Sequence, residues 1–175
     1  MTTIAYDGNG TIAGDLQSSF GDTRLPSATK KIIPVTHREE RYLVGSSGSE
    51  PVAMELFRHF VLPRRLAGVP PPFQNKVEEK ATVIAVHLSH KDGPRVYLLT
   101  ICGSFTDITG SAWAIGSGRE FSMGAMAHGA TAEQAVHVAS IYDLYTGPTT
   151  QVEQIARWRT APVINFTKLV EHGAE

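Results

Sequence analysis

"MTTIAYDGNGTIAGD", residues 1–15, decides how this chain is read. Thr3 to Tyr6 and Thr11 to Ala13 are β-prone runs separated by Asp7-Gly8-Asn9-Gly10. Asp-Gly and Asn-Gly supply the positive φ angles of a tight hairpin turn, so two antiparallel strands are expected here. The first strand begins directly behind Met1-Thr2, which makes the position of Thr2 a question in itself. Residues 2–15 carry no Lys or Arg, unlike the basic start of a signal peptide.

Working outward, 175 residues suit a single domain over 1–175 with a core of its own. A hydrophobic fraction of 42% against 19% charged residues favours a globular chain over a disordered one. Sixteen basic and seventeen acidic residues nearly cancel, so nothing suggests nucleic acid or an anionic membrane as partner. No apolar stretch approaches the length of a membrane span. The lone Cys102 cannot form an internal disulfide, which fits a reducing, cytoplasmic setting, and its apolar run predicts a buried thiol.

After a looser stretch through Ser18, Ser19, Gly21, Asp22 and Pro26, residues 30–35 (KKIIPV) read as a strand whose Pro34 suggests an edge or an early end. Arg41 to Val44 is a further strand, stopping at Gly45-Ser46-Ser47-Gly48-Ser49. Ser49, Glu50 and Pro51 then open a helix carrying Met54, Phe57, Val61 and Leu62 at helical spacing. "GVPPP" at 68–72 is a stiff connector. Ala81 to Leu88 and Arg95 to Cys102 form a second hairpin, and Ser111 to Ile115 a short strand. Helical sequence runs from Arg119 to about Tyr142, interrupted near 128–131. Thr131 restarts it as N-cap of a capping box with Gln134, ahead of Ala135, Val138, Ala139 and Tyr142. Gln151 to Ile155 and Pro162 to Phe166 are candidate final strands. Runs of strands separated by helices predict an α+β layered domain of antiparallel sheets.

Familiar chemistries are missing. Seven histidines are scattered, and His87 and His90, three apart on a strand, would face opposite ways, so no metal site is expected. "GSG" at 116–118 is too short for a dinucleotide fingerprint, no phosphate-cradling loop motif occurs, and there is no nucleophile elbow. What remains is Thr2. A threonine hydroxyl needs a base, and the α-amino group of an N-terminal Thr, with an ordinary pKa of about 7.7 to 8.0, is one. Methionine aminopeptidase removes Met before a small residue, which would expose Thr2. On these residues alone, an inert second residue remains the alternative.

The company Thr2 keeps resembles the proteasome β-subunit family and its bacterial relative, the HslV peptidase. "TTIAYDGNGTIAGDLQSSFGD" resembles that family's opening, "KKI" at 30–32 its lysine strand, and "VGSSGS" its glycine turn before the first helix. "AIGSG" at 114–118 and "YDLYTG" at 142–147 resemble two later segments, all in family order. The resemblance implies a four-layer αββα sandwich of two antiparallel sheets flanked by helices. It also implies a threonine-type endopeptidase, an N-terminal nucleophile hydrolase working through an acyl-enzyme, with no cofactor.

By the same resemblance Thr2 is the nucleophile and, through its amine, the proton acceptor. Asp15 would hold Lys31, whose ammonium disfavours protonation of that amine. Ser117, Asp143 and Thr146 would orient the amine, and Gly45 would supply the oxyanion N–H. Ser19 and Ser47 would pair with substrate backbone, and Thr29, Ile33 and Leu43 would line the side-chain pocket. The partners implied are copies of the chain in a homo-oligomeric ring, a protein or peptide substrate, and a separate ATP-driven unfoldase. Two alternatives stay open: a catalytically inactive scaffold of the same fold with Met1 retained, and an amidohydrolase acting on a small molecule.

The chain also departs from the family. The stretch from Thr2 to Asp15 is shorter than in proteasome β-subunits. Lys30 adjoins Lys31, and a slip of one residue would swap their faces. Prolines at 70–72 interrupt the family's second long helix, expected near 66–82, and leave ring size and stacking open.

Overall fold

The computed structural model describes residues 2–20, 23–61, 81–102 and 104–160. Met1, Gly21-Asp22, Leu62, the connector at 68–72, nearly all of the shortened second helix and the strand expected at 162–166 lie outside the described residues.

The opening hairpin forms β1 (Thr3–Tyr6) and β2 (Thr11–Asp15), with Ala5 opposite Ala13. Its turn rests on local chemistry: Asp7 Oδ1 accepts N–H bonds from Asn9 at 2.8 Å and Thr11 at 3.0 Å, and Gly8 and Gly10 take φ of +79° and +101°. Next come β3 (Gln17–Phe20), β4 (Thr23–Ala28), β5 (Ile32–His37) and β6 (Glu40–Gly48), then α1 (Glu50–Val61). Beyond α1 lie β7 (Ala81–His87), β8 (Arg95–Thr100), β9 (Phe105–Asp107) and β10 (Trp113–Gly116). The chain continues with α2 (Arg119–Ala127), α3 (Ala132–Tyr142), β11 (Thr150–Gln154) and α4 (Ile155–Thr160).

The strands build an antiparallel sheet in the order β10-β1-β2-β11, a second in the order β5-β6-β7-β8-β9, and the hairpin β3-β4. Strand alternation sorts the side chains into layers. Ile4 and Ile12 meet Ile32, Leu43, Ile84 and Val86 between the sheets. Ala5, Ala13 and Ala114 face Met126, Ala135 and Val136 of α2 and α3. Val44, Val83 and Ala85 pack under Leu56, Phe57 and Phe60 of α1. The result is the αββα sandwich expected.

Several details differ from expectation. The second long strand does not stop at Gly45 but runs to Gly48, and the polar stretch after Asp15 makes the β3-β4 hairpin. α1 buries Val52, Ala53, Leu56, Phe57 and Phe60, a face rotated from the Met54, Phe57, Val61 stripe. Cys102 is exposed, because β8 ends at Thr100 and leaves it in a turn. Tyr142 is 66% exposed and stacks on Phe121 instead of entering the core. His90 sits beyond the end of β7, so its ring reaches the edge of His87 at 5.5 Å instead of pointing to the opposite face. Pro34 does lie on an edge strand, and Thr131 does form the capping box.

Candidate active site

A cleft opens where β1, β5 and β6 converge, lined among others by Thr2, Ser19, Thr29, Lys30, Lys31, Ile33, Val44, Ser46, Gly48 and Met54. Thr2 sits one residue before β1 and is fixed from behind, its carbonyl accepting the Ser117 N–H at 3.0 Å. Gly116 makes that approach possible: it has φ +97°, and a Cβ there would lie 1.6 Å from the Thr2 carbonyl oxygen.

Behind the cleft is a buried ion pair. Asp15, 0% exposed at the end of β2, receives the Lys31 ammonium at 2.9 Å on both carboxylate oxygens. Its Oδ1 also accepts Thr3 N–H at 2.8 Å, and its Oδ2 accepts Gln17 N–H at 3.0 Å and Gly147 N–H at 3.1 Å. The carboxylate thus ties β1, β3 and the segment before β11 to one point, and its charge is fully solvated by protein donors. Burial pushes the Lys31 ammonium below the ordinary lysine value, with the Asp15 charge and hydrogen bonds opposing the shift.

A second network lies on the helix side of β1. Gly118 N–H donates to Thr3 Oγ1 at 2.9 Å, and Thr3 Oγ1 lies 2.6 Å from Thr146 Oγ1. Thr146 Oγ1 donates to Asp143 Oδ2 at 2.6 Å, which directs the Thr3 proton towards Thr146. Ser117 Oγ donates to the same Asp143 oxygen at 2.7 Å. Thr3, which the sequence reading passed over, therefore links Asp15 through its N–H and the Asp143 group through its hydroxyl. The signal was in plain view as the second threonine of "TT".

The β6 positions fall differently from expectation. Leu43 is fully buried between the sheets, a Cβ on Gly45 would meet Ile4 at 3.1 Å, and the Ser47 hydroxyl lies towards Gly116. These three residues face away from the cleft, and Val44, Ser46 and Gly48 line it in their place. Backbone direction follows the same alternation. Arg41 C=O accepts Leu88 N–H on the β7 side, and the β6–β7 register is unbroken from Tyr42 to Gly48. Residues 41, 43, 45 and 47 therefore direct their N–H and C=O groups to β7, whereas 46 and 48 direct theirs the other way. On that side β5 pairs only as far as Gly45, so the backbone groups of Gly48 lie beyond its end. Gly48 also has φ +96°.

Among the described residues no group of three or more His, Cys, Asp or Glu side chains is placed to hold a metal ion. No helix among them is long and apolar enough to cross a membrane.

Two antiparallel sheets face to face, outer helices and a threonine at the head of the first strand define a four-layer αββα architecture. Solved structures carry it to a particular kind. The chain is similar to eukaryotic HslV from Trypanosoma brucei, with 16% identity, TM-score 0.59, and coverage of 87% of this chain and 98% of that one. It is similar too to BPH of Thiobacillus denitrificans in complex with epoxomicin, with 19% identity, TM-score 0.58, and coverage of 89% and 99%. At such identities the likeness establishes the fold, which is the HslV and proteasome-type fold. No family model and no curated protein matches the sequence.

Proposed function

We propose that this chain is a threonine-type peptidase whose nucleophile is Thr2, exposed by removal of Met1. The observation that carries the reading is the Lys31–Asp15 pair behind a cleft that Thr2 itself lines. An ammonium held there by a buried carboxylate keeps the free Thr2 amine neutral enough to accept the hydroxyl proton near pH 7.

Thr2 Oγ1 attacks the peptide carbonyl carbon as its proton passes to the Thr2 amine. The Gly48 N–H, in the role that the family resemblance implied for Gly45, stabilises the oxyanion. Collapse of the tetrahedral species breaks the C–N bond, the Thr2 ammonium protonates the leaving amine, and an ester to Thr2 remains. Water, deprotonated by the same amine, hydrolyses that ester and restores the hydroxyl. Ser117, Asp143, Thr146 and Thr3 orient the amine through their shared hydrogen bonds. The substrate binds extended, adding a strand beside Ser46–Gly48 and against Ser19, with a side chain over Thr29, Ile33, Val44 and Met54. The setting proposed is a cytoplasmic homo-oligomeric ring fed by a separate unfoldase.

Intact mass together with peptide turnover tests this. Loss of one methionine, hydrolysis of fluorogenic peptides and binding of epoxomicin are expected, with hydrolysis abolished in Thr2→Ala. Full retention of Met1 in a folded preparation would refute the assignment and favour the scaffold. Turnover of small amides without peptides would favour the amidohydrolase.

A further inference from the structure

β5 is an edge strand, yet its first residue does not present bare backbone groups. Ile32 pairs with Gly45, whose own groups point to β7, so the Ile32 N–H and C=O point away from β6. Both are met by one side chain of the other sheet. Gln151 Oε1 accepts Ile32 N–H at 3.2 Å and Lys31 N–H at 3.1 Å, and Gln151 Nε2 donates to Ile32 C=O at 2.8 Å. The amide stands where a neighbouring strand's peptide group would. Gly14, directly across from Gln151 in β2, leaves the room for it: a Cβ there would meet Ile4 at 3.2 Å and Ile32 at 3.5 Å.

The orientation of that amide is fixed by chemistry. Gln151 Nε2 also donates to Glu153 Oε1 at 2.9 Å, and Glu153 Oε2 accepts Trp158 Nε1–H at 2.8 Å. An ionised carboxylate only accepts, and the Lys31 and Ile32 N–H groups only donate, so reversing the amide would break every contact. Gln151 is itself 8% exposed. A chain of hydrogen bonds thus runs from Trp158 on α4 through Glu153 and Gln151 to the Lys31 backbone, whose side chain ends on Asp15.

We infer that Gln151 is a positioning residue for Lys31: its side-chain amide clamps the Lys31–Ile32 backbone of one sheet to β11 of the other and so sets where the ammonium stands. The inference rests on the proposed role of Lys31 for its catalytic consequence, though not for the clamp itself. Losing the clamp would free the edge at 31–32 and let the ammonium withdraw from the Thr2 amine. That amine would then hold its proton to higher pH.

The test pairs a labelling measurement with kinetics on the full chain. In Gln151→Met, which keeps the volume and removes the amide, acetylation of Lys31 relative to Lys30 should rise about fivefold or more. Its kcat should fall about tenfold or more with little change in KM, and the acid limb of kcat/KM should move to higher pH. Glu153→Ala, which only releases the amide's orientation, should give the same changes in smaller measure, and Glu153→Gln, whose one oxygen can accept from Gln151 only by turning its NH2 against the Trp158 N–H, should reverse them only in part. A Gln151→Met protein that melts earlier but keeps the wild-type labelling ratio would overturn the inference, as would an unmoved pH profile in an active enzyme. If Gln151→Met does not fold, an unchanged labelling ratio in Glu153→Ala overturns it instead. Faster labelling in a chain that never cleaves peptides would support the clamp and refute the peptidase.

Discussion

Asp15 and Lys31 form one ion pair, but removing them should not cost the same. Asp15→Asn leaves a carboxamide at a site with 0% exposure that gathers four donors: Thr3, Gln17 and Gly147 N–H and the Lys31 ammonium. An amide has one acceptor oxygen. Set at the Oδ1 position, it keeps Thr3 and turns its NH2 against the Gln17 and Gly147 donors; flipped, it loses Thr3. Each buried N–H left unmet costs about 1–3 kcal/mol, and Lys31, with its side chain 9% exposed, loses its counter-charge. The total expected is about 3–5 kcal/mol, the range for breaking a buried pair. Lys31→Met instead leaves an anion still holding three backbone N–H bonds, and it preserves most of the apolar stem. About 1–3 kcal/mol is expected there. Both variants should lose peptide turnover, so stability is what separates them. Urea unfolding midpoints at equal slope give the comparison, at one protein concentration because assembly would shift them. If Lys31→Met proves as costly as Asp15→Asn or more so, Asp15 is not the point that ties β1, β3 and the segment before β11 together.

Gly116→Ala should destabilise by about 3 kcal/mol or more and release Thr2, since both the φ of +97° and the 1.6 Å approach to the Thr2 carbonyl oppose a side chain; a thermal melt within two degrees or so of wild type would contradict this. Gly48→Ala should lower kcat by about a hundredfold or more, whereas Gly45→Ala should act on stability first, through Ile4 at 3.1 Å; kcat and melting temperature on both variants decide which glycine serves the oxyanion. Activity should fall at alkaline pH before the ordinary lysine value of about 10.4, because burial lowers the Lys31 value. In that same window the unfolded chain binds more protons at this site than the folded one, so the Lys31 contribution to stability rises as activity falls. A pH series of kcat/KM and of unfolding free energy, with Lys31→Met as reference, checks both signs.

What was legible in the sequence is what local chemistry fixes. The Asp7–Gly10 turn needs only its own side chain and two glycines, and the Thr131 cap needs only Gln134 three residues on. Asp15 and Lys31 became legible through a resemblance spread over many short motifs, and the structure places them in contact. The β6 residues were not legible, because whether Gly45 or Gly48 offers its N–H to a cleft depends on where β5 ends and which side β7 occupies. Neither is encoded near those glycines. The β3-β4 hairpin escaped notice for a related reason: Gln17–Phe20 and Thr23–Ala28 lack an apolar face, β4 being exposed throughout, so no period-2 signal exists. The phase of α1 was misread because Met54 lines the cleft while its neighbours enter the core. Gln151 gave no sign at all, since a glutamine in a strand earns meaning only from the edge it covers.

The two threonines at the start show how far the fold's economy extends. Successive residues of a strand face opposite ways. Thr2 therefore lines the cleft, on the Lys31 side, and Thr3 points to the helix side, into the Gly118, Thr146 and Asp143 network. The Thr3 N–H reaches Asp15, and the Thr2 carbonyl reaches Ser117. The Thr2–Thr3 peptide unit and the Thr3 side chain are thus held by three separate parts of the chain before any substrate arrives. A register shift of a single residue in β1 would exchange the two faces at once, putting Thr3 in the cleft and an isoleucine against Asp143. The antiparallel pairing of Ile4 with Ile115 and with Gly14, locked by the core behind it, is what forbids that shift. The packing of Ile4 is therefore as much a condition for presenting Thr2 as the charges around it.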